Sequence, residues 1–133
     1  MATAALVSDE QANEAVRAVY DDIRKTRGTD FINNFWRAMA NDPALLKNVW
    51  EEVKTVMGAP GALDPLTREM IYMAVSIANS CAYCVHSHTA AARAKGMSDA
   101  QYGELLSIVG LAAKTNHLAN AMQVPVDPAF DRS

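Results

Sequence analysis

Apolar residues recur along most of the chain at the three- and four-residue intervals of an amphipathic helix, with polar residues between them. Capping residues and glycines divide these stretches, because helix starts favour Ser or Asp and helix ends favour glycine. The pattern predicts six helical segments: from a capping box at Ser8–Gln11 to about Arg27, a short one after Asp30, from Asp42 to about Met57, from Asp64 to about Asn79, from Ser80 or Cys81 to Gly96, and from Ser98 to about Met122. No pair of strands is predicted, so the predicted fold class is all-α.

Length and charge narrow the class of protein further. A chain of 133 residues, half of them hydrophobic, fits one domain spanning residues 1–133. The net charge of −3 comes from interspersed acidic and basic residues, which offer no basic patch for nucleic acid or an anionic membrane. No apolar run has membrane-spanning length, and the N-terminus has no basic region followed by a long apolar core. We therefore expect a cytoplasmic protein with no nucleic-acid or membrane partner.

The fourth predicted helix is apolar around most of its circumference but carries one polar line, formed by Glu69, Tyr72 and Ser76. A carboxylate that faces the interior is costly unless it is paired, hydrogen-bonded or protonated, so an upward shift of the Glu69 pKa is one expectation. The other is that Glu69 lies at a helix edge and extends toward Arg68 or Arg93. The sequence leaves both interpretations open.

The two cysteines of the chain, Cys81 and Cys84, precede His88 at helical positions i, i+3 and i+7, which share one face, whereas His86 points nearly the opposite way. A thiol near a helix N-terminus is stabilised as thiolate, and a second thiol three residues away can convert a sulfenic acid into a disulfide. His88 is placed to accept or relay a proton, with Glu69 as a base behind it. These four residues predict a proton-coupled thiol redox site.

Three other interpretations of the cysteine pair remain. Structural zinc would use Cys81, Cys84 and His88, with His117 as the fourth ligand only if the fold brings it near. Two reduced cysteines can also pack inertly as small hydrophobic residues. A thioredoxin-type site is disfavoured, because that motif follows a strand in a βαβ pattern. His86 is interpreted as a surface imidazole and His117 as an ordinary helical residue.

The chain has more large apolar side chains than one layer of helices covers. Phe31, Phe35 and Trp36 are predicted to lie on one face of the second segment. The helices around Glu69 and Ile108 are apolar on more than one side. Association of several copies would remove this surface from water, so we expect a homo-oligomer with no stable monomer at micromolar concentration.

Four runs of sequence resemble the carboxymuconolactone decarboxylase/alkylhydroperoxidase D (AhpD-like) superfamily, and the similarity extends from about Asp42 to Pro125. The runs are Leu63–Glu69, Ser76–Cys84, His88–Ser98 and Thr115–Pro125. The resemblance implies a compact, all-helical, AhpD-like single-domain bundle that assembles as a homotrimer or homohexamer. It also implies a peroxidase-type site without a metal or organic cofactor.

By this resemblance Glu69, Cys81, Cys84 and His88 match the catalytic relay, with Cys84 as the attacking thiol and Cys81 as the resolving one. Tyr83 stands where the best-characterised peroxidase of the family has a histidine. The leading hypothesis is a peroxiredoxin-type oxidoreductase that takes a hydroperoxide as substrate and a lipoyl-type or thioredoxin-like dithiol as reductant.

Three alternative functions follow from the same motifs. The first is a thiol–disulfide adaptor that passes electrons from a lipoyl-type dithiol to another protein. The second is a carboxymuconolactone decarboxylase-like enzyme, a poorer match because that branch of the family does not use the cysteine pair. The third is a helical module that holds structural zinc.

Overall fold

The computed structural model describes residues 2–130. Within this range the chain forms six α-helices and no β-strand, which confirms the predicted all-α class. The helices are α1 (Glu14–Arg27), α2 (Asn34–Met39), α3 (Pro43–Val53), α4 (Pro65–Ala78), α5 (Ala82–Ala94) and α6 (Asp99–Ala121). A π-helical turn, Lys54–Gly58, follows α3, and a 3-10 turn, Pro128–Phe130, lies near the end. None of the helices in the described range is long and apolar enough to cross a membrane.

Several helices begin at the caps that the sequence indicates. The Asp42 side chain accepts hydrogen bonds at the start of α3, and the Asp64 side chain accepts one from the backbone N–H of Thr67 in α4. Ser98 and Gln101 form a reciprocal capping box ahead of α6. These caps satisfy N–H groups that the first helical turn leaves unpaired, so short polar motifs fix where these three helices start.

The predicted start of the first helix at Ser8 is wrong. Ser8 and Gln11 do form the capping-box hydrogen bonds, at 3.0 and 3.3 Å, but the turn that they close does not continue into the helix. The helix begins at Glu14 instead, after Asn13, whose side chain accepts from the Val16 N–H at 2.9 Å. Val16 is also the first buried residue of α1, so a cap adjacent to the buried face determines the start.

The chain forms two compact units, of which the first ends at Pro60 and the second begins at Gly61. In the first unit, α1 and α2 pack against α3 around a core that includes Tyr20, Trp36 and Trp50. Phe31 and Phe35 are exposed by 66 % and 42 %, so the predicted shared apolar face is wrong. Phe31 precedes α2, which places it outside the helical spacing that the prediction assumed.

The second unit contains the segments that carry the predicted site. Helix α4 packs against α5 and α6 over a core of Met73, Ala92, Met97 and Leu105. Helix α6 is continuous through its two glycines, Gly103 among them. The core therefore fixes α5 against α4, the two helices on which the predicted redox residues lie.

Candidate active site

The cysteine pair lies where α4 ends and α5 begins. Ser80 adopts the left-handed conformation, with φ of 56°, and its N–H donates to the Ile77 carbonyl at 3.1 Å. The next N–H, that of Cys81, donates to the Ser76 carbonyl at 2.9 Å. These two bonds are the Schellman pattern of a helix C-terminus. Cys81 is also the N-cap of α5. The same residue therefore pairs with a free carbonyl at the end of α4 and caps the start of α5.

Cys81 and Cys84 form a disulfide bond, with their Cα atoms 5.4 Å apart. The backbone N–H of Cys84 also donates to the Cys81 sulfur at 3.3 Å, so the sulfur takes the place of an oxygen cap. The prediction that both cysteines lie at the first turn of a helix, with sulfurs close enough to bond, is confirmed. An N–H directed at this sulfur would stabilise negative charge on it after reduction.

Glu69 is buried, with 8 % of its side chain exposed, and its two carboxylate oxygens contact different partners, one on α5 and one at its C-cap. Oε2 lies 2.7 Å from Nδ1 of His88, and Oε1 lies 3.0 Å from Nζ of Lys95. The alternative interpretation of Glu69 as an edge residue is therefore wrong. Of the cations that it proposed, Arg93 pairs with an aspartate, and Arg68 donates to a backbone carbonyl.

The pKa of Glu69 lies below its ordinary value. Burial raises this pKa, but the hydrogen bonds and charges of His88 and Lys95 outweigh the burial and lower it. The expected upward shift is therefore wrong, because the site supplies the carboxylate with two donors. An ionised carboxylate can only accept hydrogen bonds, so Nδ1 of His88 carries the proton of this contact. In the neutral form of the ring, Nε2 is then the nitrogen that can accept a proton.

The other two members of the predicted polar line, Tyr72 and Ser76, also lie on α4. The ring of Tyr72 stacks on the imidazole, with ring centroids 3.7 Å apart and planes inclined by 21°. Ser76, the third member of the predicted polar line, is buried and donates its hydroxyl to the Tyr72 carbonyl at 2.7 Å. The sequence analysis did not identify Lys95 as a site residue.

The sequence nevertheless contains a pattern that points to Lys95. It follows His88 by seven residues, a spacing that places both side chains on the same face of a helix.

The other histidines lie elsewhere on the surface: His86 on α5 and His117 on α6 are both exposed. Across residues 2–130, no group of three or more His, Cys, Asp and Glu side chains is arranged to hold a metal ion. The arrangement that the second unit does present is a disulfide at a helix start, followed one turn later by an imidazole bound to a buried carboxylate.

Comparisons with known proteins agree with this geometry. The family model of the carboxymuconolactone decarboxylase family matches residues 43–127. The crystal structure of the alkylhydroperoxidase AhpD core from Rhodospirillum rubrum is 67 % identical in sequence and superimposes with a TM-score of 0.96, covering 98 % of this chain and 97 % of that one.

A more distant relative is the (R)-2-haloacid dehalogenase of Pseudomonas putida, which is 32 % identical over 110 residues. The match covers 80 % of this chain and 35 % of the dehalogenase, so the chain spans about a third of the length of that relative. The family match covers α3 to α6 and includes the cysteine pair, Glu69 and His88. The chain therefore belongs to the carboxymuconolactone decarboxylase/AhpD-like superfamily.

Proposed function

We propose that this protein is a thiol-dependent peroxidase that reduces hydroperoxides through Cys81 and Cys84. The observation that carries the proposal is the bonded cysteine pair at the start of the helix on which His88 meets the ionised Glu69. A redox pair beside a base whose tautomer is fixed is the combination that thiol oxidation requires. The similarity to the alkylhydroperoxidase core supports the same reaction class.

In the oxidative half-reaction, Nε2 of His88 accepts the proton of the Cys84 thiol, while Glu69 holds the opposite side of the ring through Nδ1. The thiolate attacks the terminal oxygen of the hydroperoxide, and the O–O bond breaks. The alkoxide leaves as the alcohol after it takes the proton, and Cys84 becomes a sulfenic acid. The Cys81 thiol then attacks this sulfur, which forms the disulfide and releases water.

In the reductive half-reaction, an external dithiol of lipoyl or thioredoxin-like type supplies two electrons. Its thiolate attacks the Cys84 sulfur, and Cys81 leaves as thiolate, because the N–H that donates to its sulfur stabilises the charge. The second thiol of the reductant then resolves the mixed disulfide and releases Cys84. This cycle suits a reducing compartment such as the cytoplasm.

The decisive experiment is steady-state peroxide consumption with dihydrolipoamide as the electron donor. We expect turnover by the wild-type protein and none by Cys84→Ser. Glu69→Gln preserves the shape of the side chain but removes its charge, and should slow thiol oxidation by roughly 10²–10⁴-fold. Glu104→Gln makes the same change at an exposed position on α6 and should retain the wild-type rate.

The alternatives give different results in parallel assays. A thiol–disulfide adaptor would reduce a disulfide reagent at the expense of dihydrolipoamide and leave hydroperoxides unconsumed. Release of halide from an (R)-2-haloacid would indicate the reaction named for the Pseudomonas putida relative. Absence of peroxide consumption by a folded protein that still reduces the disulfide reagent would refute the peroxidase proposal.

A further inference from the structure

One carboxylate in the second unit contacts both the imidazole of His88 on α5 and the ammonium of Lys95, the C-cap of that helix. Oε1 of Glu69 lies 3.0 Å from the Lys95 ammonium, and Oε2 lies 2.7 Å from Nδ1 of the His88 imidazole. Lys95 is about two-fifths exposed along its side chain, while the carboxylate that it meets is buried. The peroxidase chemistry above uses Glu69 and His88 but assigns Lys95 no part.

The backbone of Lys95 is held by the way α5 ends. Lys95 is the C-cap, and the glycine after it adopts φ of 97°, a left-handed conformation that favours glycine. The N–H of Gly96 donates to the Arg93 carbonyl, and that of Met97 to the Ala92 carbonyl, both at 3.0 Å. Met97 is itself buried in the core. This Schellman ending fixes the position from which the lysine side chain returns to Glu69.

We propose that Lys95 is a positioning residue that neutralises the Glu69 carboxylate, so that Glu69 orients His88 without converting it to the imidazolium form. Nε2 of His88 then remains able to accept a thiol proton. The last step rests on the proposed peroxidase function. The charge coupling among Glu69, His88 and Lys95 does not depend on that function, and it is present in the oxidised protein as well.

The physical reason is charge compensation around a buried carboxylate. With Lys95 replaced by a neutral residue, the full negative charge of Glu69 acts on the imidazole alone. The Glu69–His88 pair then binds an additional proton more tightly, beyond the one on Nδ1. An imidazole that holds this additional proton on Nε2 cannot accept the proton of a thiol there, so the lysine keeps Nε2 available as a base.

Arg93, the other cation near the end of α5, is engaged away from this pair, and Glu104 and Lys114 of α6 are exposed. Arg93 of α5 pairs with Asp99 at the start of α6, at 2.8 Å, and its guanidinium lies over the ring of Tyr102. Tyr72 of α4 contributes an aromatic face to His88. The two cysteines are joined in a disulfide, which does not titrate. Lys95 is thus the cation whose contact with Glu69 the test has to remove.

The test is a pH titration of the His88 imidazole by NMR in the oxidised protein, with its signal assigned by comparison with His86→Gln and His117→Gln. For Lys95→Met we expect the titration midpoint to rise by roughly 1 pH unit or more. Lys95→Arg keeps the charge and should restore the wild-type midpoint. Arg93→Met removes the same charge two residues away and should leave the midpoint unchanged.

Activity provides a second readout, because the acid limb of the pH–rate profile for thiol oxidation should move upward with the midpoint in Lys95→Met. An unchanged midpoint in folded Lys95→Met overturns the proposal for Lys95, whatever the activity. A shifted midpoint with no peroxide consumption by any variant, wild type included, overturns the peroxidase function and leaves the coupling in place. Lys95→Gln supplies the same titration if Lys95→Met does not fold.

Discussion

Glu69 makes the stability of the protein depend on pH. Its pKa in the folded chain lies below the ordinary value of 4.5, because His88 and Lys95 outweigh the effect of burial. A carboxyl group whose pKa is lower in the folded than in the unfolded state contributes stability that is fully present above the unfolded value. That contribution is lost as the pH falls through the folded pKa, so the free energy of unfolding should decrease as the pH falls below about 4.5.

Denaturant unfolding of the oxidised protein across this pH range measures the effect. Asp9 and Asp22 also have lowered pKa values, through Arg24 with Arg37 and through Lys54 with Trp50, so they add to the decrease in every variant. Glu69→Gln should therefore lose less stability on acidification than the wild type. Parallel curves for the two proteins would contradict the assignment of a lowered pKa to Glu69.

At the scale of single residues, the sequence identified most of the site but not its charge balance. Helical periodicity was enough to place Cys84 and His88 on one face and Glu69 on an interior line, because those relations are local to one helix. The direction of the Glu69 pKa shift was predicted wrongly. It depends on Lys95, 26 residues further along the chain, and on how α5 ends and packs against α4. The stacking of Tyr72 depends on the same packing.

At the scale of elements, the starts of α3, α4 and α6 followed from capping motifs, because a cap is a local set of hydrogen bonds. The start of α1 did not, since two caps compete there and burial of the helix face favours the second. The junction between α4 and α5 was located to within one residue. Its Schellman geometry was not predicted, because the left-handed residue is Ser80 rather than the glycine that usually signals it.

Ser80 supplies a prediction about that junction. A non-glycine residue at φ of 56° is strained, and glycine relieves the strain while losing more backbone entropy on folding. We expect Ser80→Gly to raise the free energy of unfolding by about 0.5–1 kcal/mol. Ser80→Val should lower it by roughly 1–2 kcal/mol, because a β-branched residue tolerates this conformation poorly. Urea unfolding of the oxidised proteins measures these free energies. Equal stability of Ser80→Gly and Ser80→Val would argue against strain at Ser80.

At the scale of the whole molecule, large apolar side chains of the second unit remain exposed in a single copy. Ile71 and Val75 lie one turn apart on α4, and Ile108, Leu111 and Leu118 share one face of α6. Three of these five are exposed by more than half: Val75, Ile108 and Leu111 at 53 %, 60 % and 63 %. Soluble chains rarely leave such clusters in contact with water. We propose that further copies of the chain cover them, in a homotrimer or a hexamer of two trimers.

Sedimentation or light scattering at micromolar concentration should therefore give three or six times the chain mass of 14.4 kDa. Leu111→Glu places a charge in the proposed interface, where its desolvation is unfavourable, and should shift the protein toward the monomer. Gln101→Glu adds the same side chain to α6 but preserves the capping box, so it should leave the assembly intact. A wild-type mass of one chain would refute the assembly. It would leave the thiol chemistry standing, because the disulfide, His88 and Glu69 all come from one copy.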